Sequence, residues 1–174
     1  NMCRRWRDIP KPTIAMVHGA CVAGGCMLAW VCDLIVASDD AFFADPVVRM
    51  GIPGVEYFAH PYELNPRIAK EFLFLGERMS AARGYEMGMV NKVVPLAELE
   101  DTTVAWCKTI MKRSPLAIRM IKRAMNAELD GQHGLMELAG DATLLYYLTN
   151  EAQEGKHAFL EKRDPDFQQF PKFP

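Results

Sequence analysis

Hydrophobic residues in the first hundred positions occur in short continuous runs that end at glycine or at polar turn residues. The three clearest runs, which include several β-branched or aromatic residues, cover residues 13–17, 34–37 and 41–44. Runs of this length predict buried strands. Good helix formers directly follow Gly24 and Gly25, so a helix is predicted to begin at this glycine pair. The order of strand, helix, strand and strand predicts a ββα type of unit.

The next segment, residues 45–65, contains three prolines and two glycines, and it predicts a loop with at most a short helical piece. A helix is predicted over residues 66–75, where Asn65 is the N-cap, a proline is the first helical residue and Gly76 ends the helix. A short helix over 81–87 is predicted to be capped by Ser80, and the last predicted strand lies at 90–95.

After residue 95 the pattern changes to longer amphipathic helices. They are predicted at residues 98–113, 115–127, 141–148 and 150–162, with Asn150 as the N-cap of the last helix. The change predicts two regions, a strand-containing core over residues 1–95 and a helical region over residues 96–174. The predicted fold class is α/β.

Composition narrows the classes of function. The chain has 174 residues, half of them apolar, a formal charge of -2 and a sequence pI near 6.1, so no basic face for nucleic acid is expected. No apolar run is long enough to span a bilayer and no signal peptide is visible. Five cysteines in apolar surroundings fit a reducing cytoplasm, and their irregular spacing predicts no metal site. We therefore expect a cytoplasmic protein.

The glycine pair at the start of the predicted helix is the main candidate for chemistry. The first amides of a helix have no intrahelical acceptor, and glycine lets a ligand oxygen approach the backbone closely. This stretch has no nucleophile or base of its own, so it predicts an oxyanion site built from backbone N–H groups. The alternative interpretation is that the glycines only allow the helix to pack closely on the strand.

The loop over residues 45–65 supplies the polar candidates. Asp45 precedes a proline, Glu56 follows an apolar pair, and His60 lies among aromatic residues. A carboxyl group among apolar neighbours suits a general acid or base, but each residue also has a structural interpretation as a loop hydrogen-bond partner or core group. Arg49, between two apolar residues, is expected to pair with a substrate carboxylate or with Asp45 or Glu56.

Several motifs, in order along nearly the whole chain, resemble the enoyl-CoA hydratase/isomerase, or crotonase, superfamily. They are KPTIA at residues 11–15, His18 with Gly19, AGGC at residues 23–26 with Leu28 and Ala29, Cys32 with Asp33, Phe43 with Pro46, MGIPG at residues 50–54, AAR at residues 81–83 with GMV at residues 88–90, and FLEKR at residues 159–163. The resemblance implies a crotonase-like superhelix of ββα turns, followed by a helical region that forms a homotrimer or a dimer of trimers.

The resemblance also implies an acyl-CoA thioester substrate, with coenzyme A as part of the substrate and no further cofactor. Two backbone amides would hold the thioester oxygen, and Gly24 matches one of them. The other amide belongs to an earlier segment of the family that this sequence does not contain, so an N-terminal part is expected to be missing. The residues expected to contact the acyl group are Val22, Ala23, Met27, Val47, Arg49 and His60, and those expected to contact CoA are Phe159 and Lys162.

The sequence departs from the family at the two positions where hydratases carry their catalytic glutamates, which here hold Met27 and Val47. Neither side chain can transfer a proton, so Asp45 and Glu56 become the candidates for acid–base catalysis beside Gly24. The expected function is that of an acyl-CoA-binding, enoyl-CoA hydratase-like enzyme of fatty acid metabolism with altered acid–base residues. The alternatives are an enoyl-CoA isomerase or acyl-CoA decarboxylase, and an inactive CoA-binding paralogue.

Overall fold

Strands and short helices share the chain up to residue 94, and longer helices follow, in the computed structural model, which describes residues 2–55, 57 and 59–171. The strands are β1 Ile14–Val17, β2 Ala20–Val22, β3 Leu34–Ser38, β4 Phe42–Ala44, β5 Met79–Ser80 and β6 Lys92–Val94. The α-helices are α1 Met2–Arg7, α2 Gly24–Trp30, α3 His60–Glu63, α4 Pro66–Leu75, α5 Ala81–Glu86, α6 Leu99–Met111, α7 Pro115–Asp130, α8 Gln132–Tyr147 and α9 Asn150–Glu161. Short 3-10 helices lie at Pro46–Met50, Leu96–Glu98 and Phe167–Gln169.

Two three-stranded sheets organise the first half. One has the order β1-β3-β6 and is parallel throughout, and the other has the order β2-β4-β5 with a parallel and an antiparallel pair. Strand β3 is central because it pairs with β1 on one side and with β6 on the other. The pairing with β6 is reinforced by the Asn91 side chain, whose Oδ1 accepts a hydrogen bond from the Ile35 amide at 2.7 Å.

Most of the predicted elements are confirmed, because their ends are fixed by capping hydrogen bonds and by the backbone conformation of single residues. The Asn65 side chain accepts hydrogen bonds from the amides of Arg67 and Ile68 at 3.1 Å, and Gly76 ends α4 in a left-handed conformation. The Ser80 hydroxyl caps α5 by accepting from the Arg83 amide at 3.2 Å. These capping residues fix helix ends independently of the rest of the fold.

Several features differ from the sequence expectation, among them strand β5 and a second helical piece in the loop over residues 45–65, neither of which was predicted. Strand β2 was not predicted, because a three-residue strand directly after a glycine has no periodicity to reveal it. Helix α8 begins nine residues before the predicted start, after Gly131, which adopts a φ of 56°. The cap of α9 is Thr149 rather than Asn150, since the Thr149 hydroxyl accepts from the Ala152 amide at 3.2 Å.

The chain forms two compact units, Asn1–Arg119 and Met120–Pro174. The first unit contains the strands and the main core, in which Phe43 and Trp30 are almost completely buried, and a smaller cluster around the buried Val36. In the second unit, Ala127, Asp141 and Ala158 are buried, while many of its large apolar side chains are exposed. The predicted α/β class with a helical C-terminal region is confirmed. The predicted division into residues 1–95 and 96–174 stays a prediction.

Candidate active site

The turn between β2 and α2 has an unusual backbone. Ala23 adopts φ 47° and ψ -106°, a conformation that is uncommon for any residue with a side chain. Its amide donates to the Ala44 carbonyl at 2.9 Å and its carbonyl accepts from the Met27 amide at 3.1 Å. The neighbouring strand therefore holds Ala23 on one side and the helix holds it on the other. Such strained residues are concentrated at functional sites.

Gly24 and Gly25 follow this turn as the first two residues of α2, and both are exposed. Among the described residues, neither amide donates to a backbone or side-chain acceptor. A Cβ added to Gly24 would meet only the Met27 Cε, at 4.0 Å, and one added to Gly25 would meet the Cys21 Sγ at 3.7 Å. The two amides are thus open to an incoming oxygen, and the dipole of the first helical turn favours negative charge there.

The predicted acyl-contact residues lie in two groups. Val22, Ala23 and Met27 surround the turn, because Val22 ends β2 opposite Ala44 and the half-buried Met27 lies beside Gly24. Val47 belongs instead to the 3-10 helix after β4.

The Cys26 thiol next to the turn is a structural group. The buried Cys26 thiol donates to the Cys21 carbonyl at 3.0 Å and to the Ala44 carbonyl at 3.5 Å. The neighbouring Cys21 side chain and burial raise the pKa of Cys26, so its sulfur stays a protonated thiol. A protonated thiol is a poor nucleophile.

Asp45 directly follows β4 and is buried, with 4% of its surface exposed. Gly54, at φ +67°, lies against it: a Cβ at Gly54 would be 3.4 Å from both carboxylate oxygens and would overlap the Val47 side chain. Only a glycine fits at this point. The Asp45 carboxylate is therefore enclosed by the loop that follows it.

His60 lies at the start of α3 and faces the same carboxylate. Its Nε2 is 3.8 Å from the Asp45 Oδ2, and its ring packs edge-on against Trp30 with 4.7 Å between the centroids. Burial lowers the pKa of His60, while the nearby Asp45 opposes this effect. The imidazole is consequently neutral near pH 7. The structure thus brings together two residues that are fifteen positions apart in the loop.

Arg49 has a different partner from those expected. Its Nη2 donates to the Leu75 carbonyl at 3.4 Å, at the C-terminal end of α4, and a Cβ at Gly76 would lie 3.5 Å from its Nε. A cation is favourable at the end of a helix. Among the described residues, the Arg49 guanidinium makes no ion pair with Asp45. Its contact with a substrate stays a prediction.

The same loop contains two glutamates, of which only one was predicted to take part in catalysis. Glu56, the other predicted acid–base residue, lies outside the described residues. Glu63 was not predicted at all, yet burial raises its pKa to about 7. Its position at the end of a four-residue helix gives no sequence signal that distinguishes it from a surface glutamate.

The predicted CoA-contact residues belong to the second unit. Phe159 lies on α9 with 83% of its surface exposed, and Lys162 follows the helix in a left-handed conformation, φ 55°. Next to it, Arg163 turns back to Glu154, with N–O distances of 2.6 and 2.9 Å. Both predicted side chains are therefore accessible.

The described part of the chain lacks two other kinds of feature. No group of three or more His, Cys, Asp or Glu side chains is arranged to hold a metal ion. No helix there combines the length and the apolar character needed to cross a bilayer.

Comparison with known proteins gives consistent results. A family model described as enoyl-CoA hydratase/isomerase matches residues 1–170. Among solved structures, the chain is similar to a probable enoyl-CoA hydratase from Mycobacterium thermoresistibile, with 49% identity and a TM-score of 0.72 over 79% of this chain and 58% of that one. A probable enoyl-CoA hydratase from Mycobacterium smegmatis is 42% identical, with a TM-score of 0.72, over 92% of this chain and 63% of that one.

A third solved structure, an enoyl-CoA hydratase subunit I from Geobacillus kaustophilus HTA426, is 35% identical, with a TM-score of 0.73. The match covers 97% of this chain and 66% of that one. The chain thus spans less than two thirds of the length of each of these three structures. The crotonase-like fold predicted from the motifs is confirmed.

Proposed function

The chain belongs to the enoyl-CoA hydratase/isomerase family, and from this premise we propose that it binds an acyl-CoA thioester and stabilises the enolate of that thioester at the Gly24 amide. Hydration or isomerisation of an unsaturated thioester places negative charge on the thioester oxygen. A fixed N–H donor at that point is worth about 3–4 kcal/mol of barrier in other enzymes. Coenzyme A enters as part of the substrate.

One observation carries the proposal, the strained turn at Ala23. A residue with a side chain is held there in a backbone conformation that costs about 1–3 kcal/mol, and the amides that follow it are exposed and without acceptors among the described residues. Close packing of a helix on a strand does not require this strain. The strain supports an oxyanion site, because the orientation of the Ala23–Gly24 peptide sets the direction of the Gly24 N–H.

The acid–base role falls to the loop after β4. Met27 and Val47 cannot transfer protons, whereas Asp45 is buried directly after the strand that holds Ala23. Asp45 is therefore our first candidate for the proton-transferring group. Glu56 is the second, on sequence grounds alone. Arg49, Val22 and His60 complete the proposed surroundings of the acyl group.

The proposed partner, besides the acyl-CoA, is a second and third copy of the chain. The second unit exposes Met125, Leu148, Phe159 and Leu160 by more than 60% each, and apolar surface of this kind is characteristic of subunit contacts. We propose a homotrimer or a dimer of trimers, in which Phe159 and Lys162 contact CoA. The proposed location is the cytoplasm.

Two alternatives have support of their own. An isomerase or decarboxylase uses the enolate without adding water, so it needs fewer acid–base groups, which suits the loss of both glutamates. An inactive CoA-binding paralogue is favoured by the same loss if Asp45 has only a structural role. Both keep the Gly24 site.

The Gly24→Ala variant tests the oxyanion site in the purified protein. The added methyl has room in the fold, so the melting temperature should stay unchanged, but it obstructs the approach of the thioester oxygen. We expect a loss of about 10²-fold in kcat for whichever acyl-CoA is converted. Gly140→Ala on α8, where a Cβ also meets nothing within 4 Å, is the matched control and should keep full activity. Equal activity of both variants would contradict the proposal.

The reaction type is decided by product analysis with crotonyl-CoA, a 3-enoyl-CoA and a malonyl-type CoA. Hydration of crotonyl-CoA that is lost in Asp45→Asn or Glu56→Gln supports the hydratase with altered acid–base residues. Hydration unaffected by either change would exclude that assignment. Conversion of only the other two substrates supports the isomerase or decarboxylase, and binding measured by calorimetry without any conversion supports the inactive paralogue.

A further inference from the structure

The core beside the proposed site contains buried polar atoms that lack hydrogen bonds. Within the described residues, this is true of both ring nitrogens of His60 and of the Trp30 Nε1, and the two residues are 1% and 2% exposed. Leaving a buried donor or acceptor without a partner costs about 1–3 kcal/mol. Such groups are rare in folded proteins, so a structural role in filling the core does not account for a histidine here.

The His60 ring is held firmly in spite of this. Trp30 packs edge-on against it, and Phe72 packs edge-on against Trp30 with 6.1 Å between the centroids. The backbone carbonyl of His60 also accepts from the Leu64 amide at 2.9 Å. The orientation of the ring is therefore determined by its neighbours, and the ring directs Nε2 towards Asp45.

The distance from Nε2 to the Asp45 Oδ2 is 3.8 Å. This is somewhat longer than a hydrogen bond, and such contacts in enzymes without ligand commonly shorten when substrate binds. Among the residues that the structure describes, Asp45 is the charged group that faces His60. Glu63, one turn further along α3, contributes instead to the raised pKa of Tyr57. The Cys26 thiol near Asp45 donates to backbone carbonyls.

We propose that His60 is a positioning residue that acts through Asp45. The inference rests on the proposed function, in which the Asp45 carboxylate takes one proton from the acyl α-carbon or from water and later returns it. The neutral imidazole donates its Nε2–H to Oδ2 and fixes the orientation of the carboxylate during the proton transfer. His60 keeps its own proton throughout, and burial, which disfavours the imidazolium, ensures this.

The first test measures the pairing without any activity assay. The pKa of His60 is followed by long-range proton–nitrogen NMR of the imidazole from about pH 4 to 8, in the wild type and in Asp45→Asn. Because Asp45 is the group that opposes the lowering by burial, the pKa of His60 should fall further in the variant. The exposed His133 and His157 serve as internal controls and should not respond. An unchanged pKa of His60 would overturn the pairing.

The second test is kinetic. His60→Leu removes the donor, and we expect kcat to fall by about 10–100-fold with KM nearly unchanged, as for other residues that orient a catalytic group. The acid limb of the kcat profile should move to higher pH, since the buried carboxylate loses its donor. His60→Gln places an amide donor near the Nε2 position and should recover part of kcat and of the shift.

A purely structural role gives a different result. Phe72→Leu disturbs the same aromatic packing without touching Asp45, and it should lower the melting temperature while leaving the pH profile unchanged. If His60→Leu does not fold, His60→Gln and the NMR titration still test whether His60 positions Asp45. If both His60 variants turn over substrate with an unshifted pH profile, the positioning role of His60 is wrong, but the proposed function still stands. Absence of any turnover, with the pairing detected by NMR, would overturn the proposed function and the positioning role with it.

Discussion

The shifted pKa values of titratable groups have different physical causes in the two compact units. In the loop of the first unit the main cause is burial, which raises the pKa of Glu63 to about 7 and lowers that of His60. In the second unit the cause is a surface hydrogen bond, since Arg163 lowers the pKa of the Glu154 carboxyl to about 2. The shifted groups of the first unit therefore lie in an interior that excludes water. The shifted groups of the second unit form an ion pair at its surface.

The same contrast holds for apolar side chains. The first unit buries its large residues, while the second unit exposes most of them and buries small ones such as Ala127 and Ala158. Gly134 fits so closely against the Ala127 backbone that a Cβ would overlap it. Close helix contact in the second unit thus depends on small residues, while most of its large apolar residues are exposed.

The largest expected effect comes from truncation in the first core. Phe43→Ala removes a fully buried ring and should lower the free energy of unfolding by about 3–5 kcal/mol, as measured by denaturant titration. Leu148→Ala in the second unit, where the side chain is 79% exposed, should change it by less than about 0.5 kcal/mol in dilute monomer. If Leu148 lies in a subunit contact, its variant should lose stability only at high protein concentration. If Leu148→Ala lost much stability at every protein concentration, the two units would not differ in how they use their large apolar residues.

The loop that encloses Asp45 provides the second test. Gly54→Ala combines a positive φ with overlap on Val47, and it should cost about 3 kcal/mol. Gly88→Ala is the matched control, because Gly88 also has a positive φ but a Cβ there would meet nothing; about 1 kcal/mol is expected. Combining Gly54→Ala with Val47→Ala should recover part of the loss. Equal costs for the two single variants would show that the loop does not press on Asp45.

Glu63→Gln tests how strongly the first interior excludes water. The pKa of Glu63 is raised from its ordinary 4.5 to about 7, so the folded state binds the proton more tightly than the unfolded state. The stabilising contribution is full below pH 4.5 and is lost as the pH rises through 7. The variant should be more stable than the wild type by about 2–3 kcal/mol at pH 8 and by less than about 0.5 kcal/mol at pH 4.5.

The exposed Glu86 is the control for this measurement, and Glu86→Gln should stay within about 0.5 kcal/mol of the wild type at both pH values. A gain at pH 8 that is equal for both variants would reflect net charge alone. In that case burial would not explain the behaviour of Glu63.

The smallest effect is expected at the surface of the second unit. Glu154→Gln removes the carboxylate that pairs with Arg163, and a slightly lower melting temperature is expected at neutral pH. Because the pKa of Glu154 is lowered in the folded state, its contribution is present above pH 4.5 and is lost as the pH falls towards 2. The difference between variant and wild type should also shrink at high salt. A difference that persists in acid or in high salt would indicate packing instead.

The sequence predicted best those features that depend on a few neighbouring residues. Asn65, Gly76 and Ser80 fix helix ends by their own conformations and hydrogen bonds, so their roles could be identified without the fold. Thr149 could not be separated from Asn150, because both residue types cap helices and only the backbone geometry selects one.

The candidate site was predictable only in part. The Gly24 turn follows from a local motif, although the strain is at Ala23, which the sequence does not reveal. The approach of His60 to Asp45 depends on how a loop with three prolines folds back, and no periodicity describes that. Arg49 illustrates the same limit, since its contact at the end of α4 involves residues twenty-six positions away.

The central position of β3 also affects how the protein folds during synthesis. Its partner β6 is held by Asn91, which is 56 residues later than Ile35. At about 5–20 residues per second, a ribosome needs roughly 3–11 s to make that segment. During this time one edge of β3 has no partner and can pair with the strands of other chains. Expression at lower temperature or with chaperones that shield strand edges should therefore raise the soluble yield.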